Sequence, residues 1–162
     1  GLRPEAGDSK EHEDNSMLIR RPTEADRLGW DKLYAGYADF YRVTQTQEMR
    51  DRVWSWIHDP AHTTEALVAE HDGQLVGLAH FRPFARPLAA SVGGYLDDLF
   101  VDPSARGSGA ADRLIEALKE EAQRRGWTVI RWITAENNFR ARAVYERVAE
   151  RTHWVTYDLK PA

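Results

Sequence analysis

"DPSARGSGAADRLIEAL", residues 102–118, brings an arginine and two glycines to the mouth of an amphipathic helix. From Ala110 onward, Ala110, Ala111, Leu114, Ile115, Leu118 and Ala122 recur at helical spacing and fall on one face. Gly126 stands where a C-terminal stop is expected. A helix start carries unpaired N–H groups and the positive end of the helix dipole, so it attracts anions. Gly107 and Gly109 present no side chain, so backbone can close around phosphate oxygens, and Arg106 adds a planar, permanently charged donor. The stretch therefore predicts a phosphate or pyrophosphate over Arg106–Ala111, against the plainer reading of a glycine turn beside a solvated arginine. "GAAD" lacks the Gly-Lys-Ser/Thr ending of the mononucleotide loop, and Asp112 stands where the dinucleotide fingerprint has its third glycine.

Outward from this loop, the chain reads as alternating strands and helices. "MLIRR" (17–21) predicts a strand, and Thr23 caps a helix with Glu24 and Asp26 in its first turn. Leu28, Leu33, Tyr34, Tyr37 and Phe40 form its apolar stripe. A second helix begins after Thr44 or Thr46, carries Met49, Val53, Trp54 and Ile57, and stops at His58-Asp59-Pro60. Residues 65–81 read as a hairpin around Asp72-Gly73. Strands are expected at 93–101, 128–134 and 153–159, with a helix from Asn137 or Asn138 to about Glu150 between the last two. This order predicts an α+β fold on a mixed sheet.

A chain of 162 residues suits one domain. Residues 1–16 hold five acids against Arg3 and Lys10 and lack hydrophobic periodicity, so they are set apart as an acidic tail, with the domain expected over 17–162. The tail carries three of the four net negative charges, and the nearly neutral remainder offers no electrostatic footprint for nucleic acid. No apolar run of membrane-spanning length occurs, so no membrane partner is expected. With no cysteine there is no disulfide, thiolate nucleophile or thiolate metal ligand; a cytoplasmic protein without a metal is expected.

The loop "VDPSARGSGAADRLI" (101–115) resembles the acyl-CoA-binding motif of the Gcn5-related N-acetyltransferase family, Arg/Gln-x-x-Gly-x-Gly/Ala, through Arg106, Gly109 and Ala111. Ala110 is smaller than the aliphatic residue usual there. "ENNFRARAVYERVAE" (136–150) resembles the family's Asn-x-x-Ala-x-x-Leu-Tyr-Glu-x-x-Gly helix through Asn138, Ala141, Val144, Tyr145 and Glu146, with Val144 for leucine and Ala149 for the final glycine. The resemblance covers residues 17–159 and implies acetyl-CoA as co-substrate and a central, mostly antiparallel sheet splayed between its fourth and fifth strands. It further implies that Arg106, Gly107, Ser108, Gly109, Ala110 and Ala111 take the pyrophosphate, and that backbone of Leu99, Phe100 and Val101 pairs with the pantetheine amides. Asn138, Ala141 and Tyr145 complete the coenzyme site, Asn138 serving either the pantetheine arm or the helix cap. "LVAE" (67–70) with "GYLDDLFV" (94–101) is similar to the diamine and polyamine enzymes.

The acceptor chemistry sets further demands. An aliphatic amine of pKa about 10 is almost wholly protonated at neutral pH, so a base must take its proton before attack. Asp97 and Asp98 are the acids beside the loop. In a regular strand they face opposite sides, an alternation that a bulge would break. By the resemblance, Asp97 is a water-relayed base, Asp98 a ligand for a cationic amine, and the Tyr145 hydroxyl the acid that protonates the coenzyme sulfur; balancing nearby arginines is the bland role for either acid. Tyr145 shares a helical stripe with Ala141 and Val148. Tyr34 and Tyr37, among Trp30, Phe40 and Tyr41, offer aromatic faces to an alkylammonium, or else belong to the core. His80 is a lone strand histidine with no assigned role, and the arginines of "RPFARPLAAS" (82–91) disfavour a polycation nearby. The expected function is acetyl transfer to the primary amine of a small molecule, a diamine, polyamine or amino-acid-like amine. A non-catalytic acyl-CoA-binding module and a protein or peptide acetyltransferase are the alternatives. The apolar strand 153–159 suggests a homodimer.

Overall fold

The computed structural model describes residues 17–162; the acidic tail, 1–16, lies outside the described residues. The chain divides into two compact units, one ending at Trp132 and the other Ile133–Ala162.

The first unit is a five-stranded sheet in the order β1-β2-β3-β4-β5, formed by Met17–Arg20, Glu65–His71, Gln74–Arg86, Ser91–Val101 and Ile130–Arg131. The first four strands pair antiparallel and β5 lies parallel to β4. The β2–β3 connection is the expected tight turn: Asp72 and Gly73 both take positive φ, 49° and 77°, as a type I′ turn requires. β3 and β4 run further than their sequence signals, to Arg86 and from Ser91. β5 is shorter than expected, two residues where seven were anticipated, paired as Gly94↔Ile130 and Tyr95↔Arg131. The reason lies in β4: its register against β3 shifts between Leu96 and Asp98, and the bulge turns the strand away from its parallel neighbour. β4 therefore continues to Val101 with no strand on that edge among the described residues, the expected splay.

Helices cover both faces. α1 (Arg27–Phe40) follows a single 3-10 turn in which the Thr23 N–H donates to the Asp26 carboxylate at 2.7 Å. α2 (Gln47–Ile57) is capped by Thr46, whose hydroxyl accepts from the Met49 N–H. Trp30 and Leu33 pack with Val68, Leu78 and Phe100 under these two helices. Leu28 and Phe40, placed on the inner stripe by spacing, are instead exposed; the stripe is centred on Trp30 and Leu33, one helical turn apart. α3 (Ala110–Arg125) covers the opposite face through Ala110, Leu114 and Leu118, which meet Leu67, Ala69, Ala79, Phe81 and Leu96. Gly126, at φ 70°, ends it as expected.

The second unit holds α4 (Phe139–Val148), capped by Asn138, whose side chain accepts from the Ala141 N–H at 3.3 Å. Ala149 leaves the helix in an extended conformation, φ −143°, so the helix ends at Val148, short of the expected Glu150. The expected strand at 153–159 is not formed: Trp154, Val155, Tyr157 and Leu159 are 72–94% exposed and no ladder includes them. A strand exists through the backbone groups of a neighbour, and this segment has none among the described residues.

Candidate active site

Strand alternation puts Leu78, His80, Arg82, Phe84 and Arg86 of β3 on the face covered in part by α1. On β4, Leu96 pairs with Phe81 and points into the α3-side core, while Asp98 pairs with His80 and Phe100 with Leu78, towards α1. Asp97 is the extra residue of the bulge. Its carboxylate lies 3.2 Å from the Arg82 guanidinium, so it joins the same face as Asp98. Two carboxylates that a regular strand would send to opposite sides thus share one face.

Their environments differ. Asp98 Oδ2 accepts from His80 Nδ1 at 2.8 Å and from the Tyr34 hydroxyl at 3.0 Å, and Tyr37 bonds the same carboxylate. Trp30, fully buried, donates its indole N–H to His80 Nε2 at 3.0 Å. An indole nitrogen can only donate, so Nε2 carries a lone pair and the imidazole proton sits on Nδ1, aimed at Asp98. Burial pushes the Asp98 carboxyl up, but the His80 N–H and the two tyrosine hydroxyls outweigh it and hold the group below the ordinary carboxylate range. For Asp97, burial raises the carboxyl; Arg82 pulls the other way without cancelling it, and the Asp98 charge adds to the rise. Burial and the Asp98 charge keep the Tyr34 hydroxyl protonated well above the usual phenol range.

β4 leads directly into the glycine loop. Gly107 and Gly109 take φ 82° and 85°, the left-handed region that glycine occupies without strain, and Gly109 opens α3. Space beside both is open: no atom lies within 4 Å of where a Cβ would stand. The first intrahelical bond runs from the Arg113 N–H to Gly109 O, and the Ala110 N–H turns to the Ser108 hydroxyl. The N–H groups of Gly107, Gly109 and Ala111 have no protein acceptor among the described residues, which makes the loop a fitting cradle for a pyrophosphate. Arg106 is exposed, with its guanidinium 5.6 Å from the Phe40 ring. Ala110 is buried in the core, which accounts for a small residue there. Leu99 and Val101 pack towards the α3 side and Phe100 edge-on against Tyr37.

A family profile, "Acetyltransferase (GNAT) family", matches residues 30–149. The chain belongs to this family. It is similar to the D-amino-acid N-acetyltransferase HPA3 of Saccharomyces cerevisiae, 26% identical over 143 residues, covering 87% of this chain and 89% of the relative. It is also similar to the uncharacterized N-acetyltransferase YhfO of Bacillus subtilis, 30% identical over 146 residues, covering 88% and 97%. The fold is shared with the aminoglycoside N-acetyltransferase AAC(6')-Iy in complex with CoA, at TM-score 0.76 and 21% identity over 90% of this chain and 95% of that one. The protein is an N-acetyltransferase that uses acetyl-CoA.

Within the second unit, Asn138, Ala141 and Tyr145 lie on one face of α4, and Tyr145 is half-buried. Val148 is exposed, so the stripe it was expected to share ends at Tyr145. Asn138 fills the capping role directly. Sequence reasoning missed His80, Trp30 and Arg82. Asp72-Gly73 marks the hairpin, but the β2–β3 register shifts at Ala69/Glu70 and leaves Val76 without a partner, so neither the face of β3 on which His80 and Arg82 sit nor their partners across the β4 bulge follow from the turn alone.

Proposed function

We propose that this N-acetyltransferase transfers acetyl to the primary amine of a small molecule by direct attack, with Asp97 as base, Asp98 as ligand for the cationic amine and Tyr145 as acid. The observation that carries the reading is the bulge at Asp97, which leaves two carboxylates on one face with opposite shifts. Neighbouring carboxyls pushed apart in this way divide the labour of proton transfer and charge recognition. Asp98, held ionised by three donors, is a weak base and a durable anion. Asp97, with its carboxyl raised, takes the ammonium proton through a water. Acetyl-CoA supplies a thioester carbon to which the amine nitrogen bonds as the carbon–sulfur bond breaks. The Tyr145 hydroxyl gives its proton to the departing sulfur. The Arg106–Ala111 loop holds the pyrophosphate, the β4 backbone at 99–101 and the Asn138–Ala141 turn hold the pantetheine arm, and Tyr34 and Tyr37 border the amine.

An acid pair of this kind would take a polyamine, but the arginines beside it oppose a polycation; the name of the yeast relative adds amino acids to the candidates. The protein acts as a homodimer in this reading. The exposed apolar segment 153–159 of each copy supplies a strand to the other, which pairs backbone groups that have no ladder among the described residues. The reading is tested by free-thiol release from acetyl-CoA against a panel of amines: leucine, lysine, putrescine, spermidine, an aminoglycoside and a basic peptide. Turnover of one small-amine class is expected. Turnover confined to the peptide would overturn the acceptor assignment.

A further inference from the structure

Past Asp98, the same face of the sheet runs on towards the β3–β4 turn and changes character. Arg82 spans the step: its guanidinium contacts the Asp97 carboxylate and lies 4.7 Å from the Tyr95 ring. Phe84 meets Tyr95 edge-on at 5.9 Å, and the Arg131 guanidinium lies 5.5 Å from the Phe84 ring. Gly93, opposite Phe84, makes room for this floor; a Cβ there would stand 2.8 Å from the phenyl ring. Arg86 closes the row with a bond to the Thr128 hydroxyl. Asp97 is the carboxylate that pairs with this row; Arg86 and Arg131 have no carboxylate partner among the described residues. All these side chains are partly exposed.

We infer that the acceptor is an amino acid, whose ammonium sits at the Asp97–Asp98 pair while its carboxylate takes the Arg82 guanidinium from Asp97, with Phe84 and Tyr95 as floor and Arg131 as a second positive charge. The inference rests on the reading that the acid pair receives the amine. A simple amine entering here would take Asp97 and leave the Arg82 guanidinium without its anion. A zwitterion replaces both partners at once, so neither charge is left unpaired in a partly desolvated site. Asp98 pairs with His80, which lies one strand step of two residues, about 6–7 Å, from Arg82 on β3, so the acid pair and the guanidinium border a space of the size of a small zwitterion. Transferring Arg82 to the substrate carboxylate also removes the attraction that opposes the rise of the Asp97 carboxyl, which leaves a better base where one is needed.

The experiment compares leucine with isoamylamine, its decarboxylated counterpart, in thiol release from acetyl-CoA. kcat/KM for leucine should exceed that for isoamylamine by roughly 10- to 100-fold, the worth of a charge-assisted hydrogen bond to a carboxylate. Arg82→Gln should abolish the preference, lowering kcat/KM for leucine by roughly 10- to 100-fold more than it changes that for isoamylamine. 4-Methylpentanoate, the carboxylate without the amine, should compete with leucine on the wild-type enzyme, a measurement that needs no variant to fold. Isoamylamine used as well as leucine, or Arg82→Gln lowering both equally without inhibition by 4-methylpentanoate, overturns the inference and leaves the amine acetyltransferase standing. Failure of both compounds, with spermidine or an aminoglycoside turned over, overturns it as well. Turnover of the basic peptide alone overturns both readings.

Discussion

Tyr34→Phe removes one oxygen from the enzyme and leaves the ring contacts with Trp30 and His80, at 5.3 and 4.7 Å, in place. The lost bond is the 3.0 Å donation to Asp98 Oδ2. Because the acceptor is charged, its contribution is about 1.5–3 kcal/mol, against roughly 0.5–1.5 for a neutral pair. For a chain of this length a loss of ~2 kcal/mol lowers Tm by about 4–8 °C. The dependence on pH separates this bond from mere packing. Asp98 has its folded carboxyl below the ordinary range, so the stability it contributes is fully present above the unfolded pKa of about 3.9 and disappears as pH falls through the lower, folded value. Removing one donor raises the folded pKa. The difference between wild type and Tyr34→Phe in urea unfolding should therefore be constant from about pH 7 to 5 and shrink below about pH 4. Activity adds a second readout: KM for the amine rises while KM for acetyl-CoA stays unchanged. A stability loss independent of pH, or one below about 0.5 kcal/mol, where surface substitutions fall, would refute the reasoning that Tyr34 acts through the Asp98 charge.

Asp97→Asn should lower kcat by about 100-fold or more, the usual contribution of a general base, with unfolding midpoints close to wild type; stopped-flow thiol release measures it. Gly109→Ala forces a side chain into the left-handed region at a cost of about 1–2 kcal/mol, and since nothing crowds the new Cβ the whole effect is backbone. It should raise KM for acetyl-CoA and leave KM for the amine alone. Deleting residues 152–162 should convert a dimer to a monomer in light scattering; a monomeric full-length protein would dispose of strand exchange.

The frame of the fold was legible because its signals are local. Asp72-Gly73 can take the two positive φ angles of a type I′ turn, and that turn joins β2 to β3, although the register shift at Val76 also decides which β3 residues face α1. Thr46, Asn138 and Gly126 mark helix ends by the hydrogen bonds or conformation that each residue type supplies. Gly107 and Gly109 take the left-handed conformation that their lack of a side chain allows. The misplaced elements are those whose geometry is decided by neighbours. The 153–159 segment has the composition of a strand, but a strand also needs a ladder. Leu28 and Phe40 are as apolar as Leu33 and lie outside because the helix is rolled to seat Trp30 against His80.

The candidate site falls between these cases. Asp97 and Asp98 were visible as the acids beside the glycine loop, yet the division of roles proposed for them depends on one extra residue in β4 that no local pattern announces. Without the bulge, Asp98 could still meet His80, but Asp97 would point to the α3 side, into a core of leucine, alanine and phenylalanine where a carboxylate has no partner. The bulge therefore has a physical cause in the sequence itself: two consecutive charged residues cannot both be satisfied by a regular strand buried on each face. Arg82 and His80, two residues apart on β3, are the partners that draw both acids to one side. On this argument, Asp97→Leu should restore regular alternation by turning an apolar side chain into the α3-side core. Loss of the β4 register shift, read from cross-strand amide contacts in solution, would bear the cause out; a bulge retained in Asp97→Leu would assign it to the backbone of the Gly93-Gly94 segment instead.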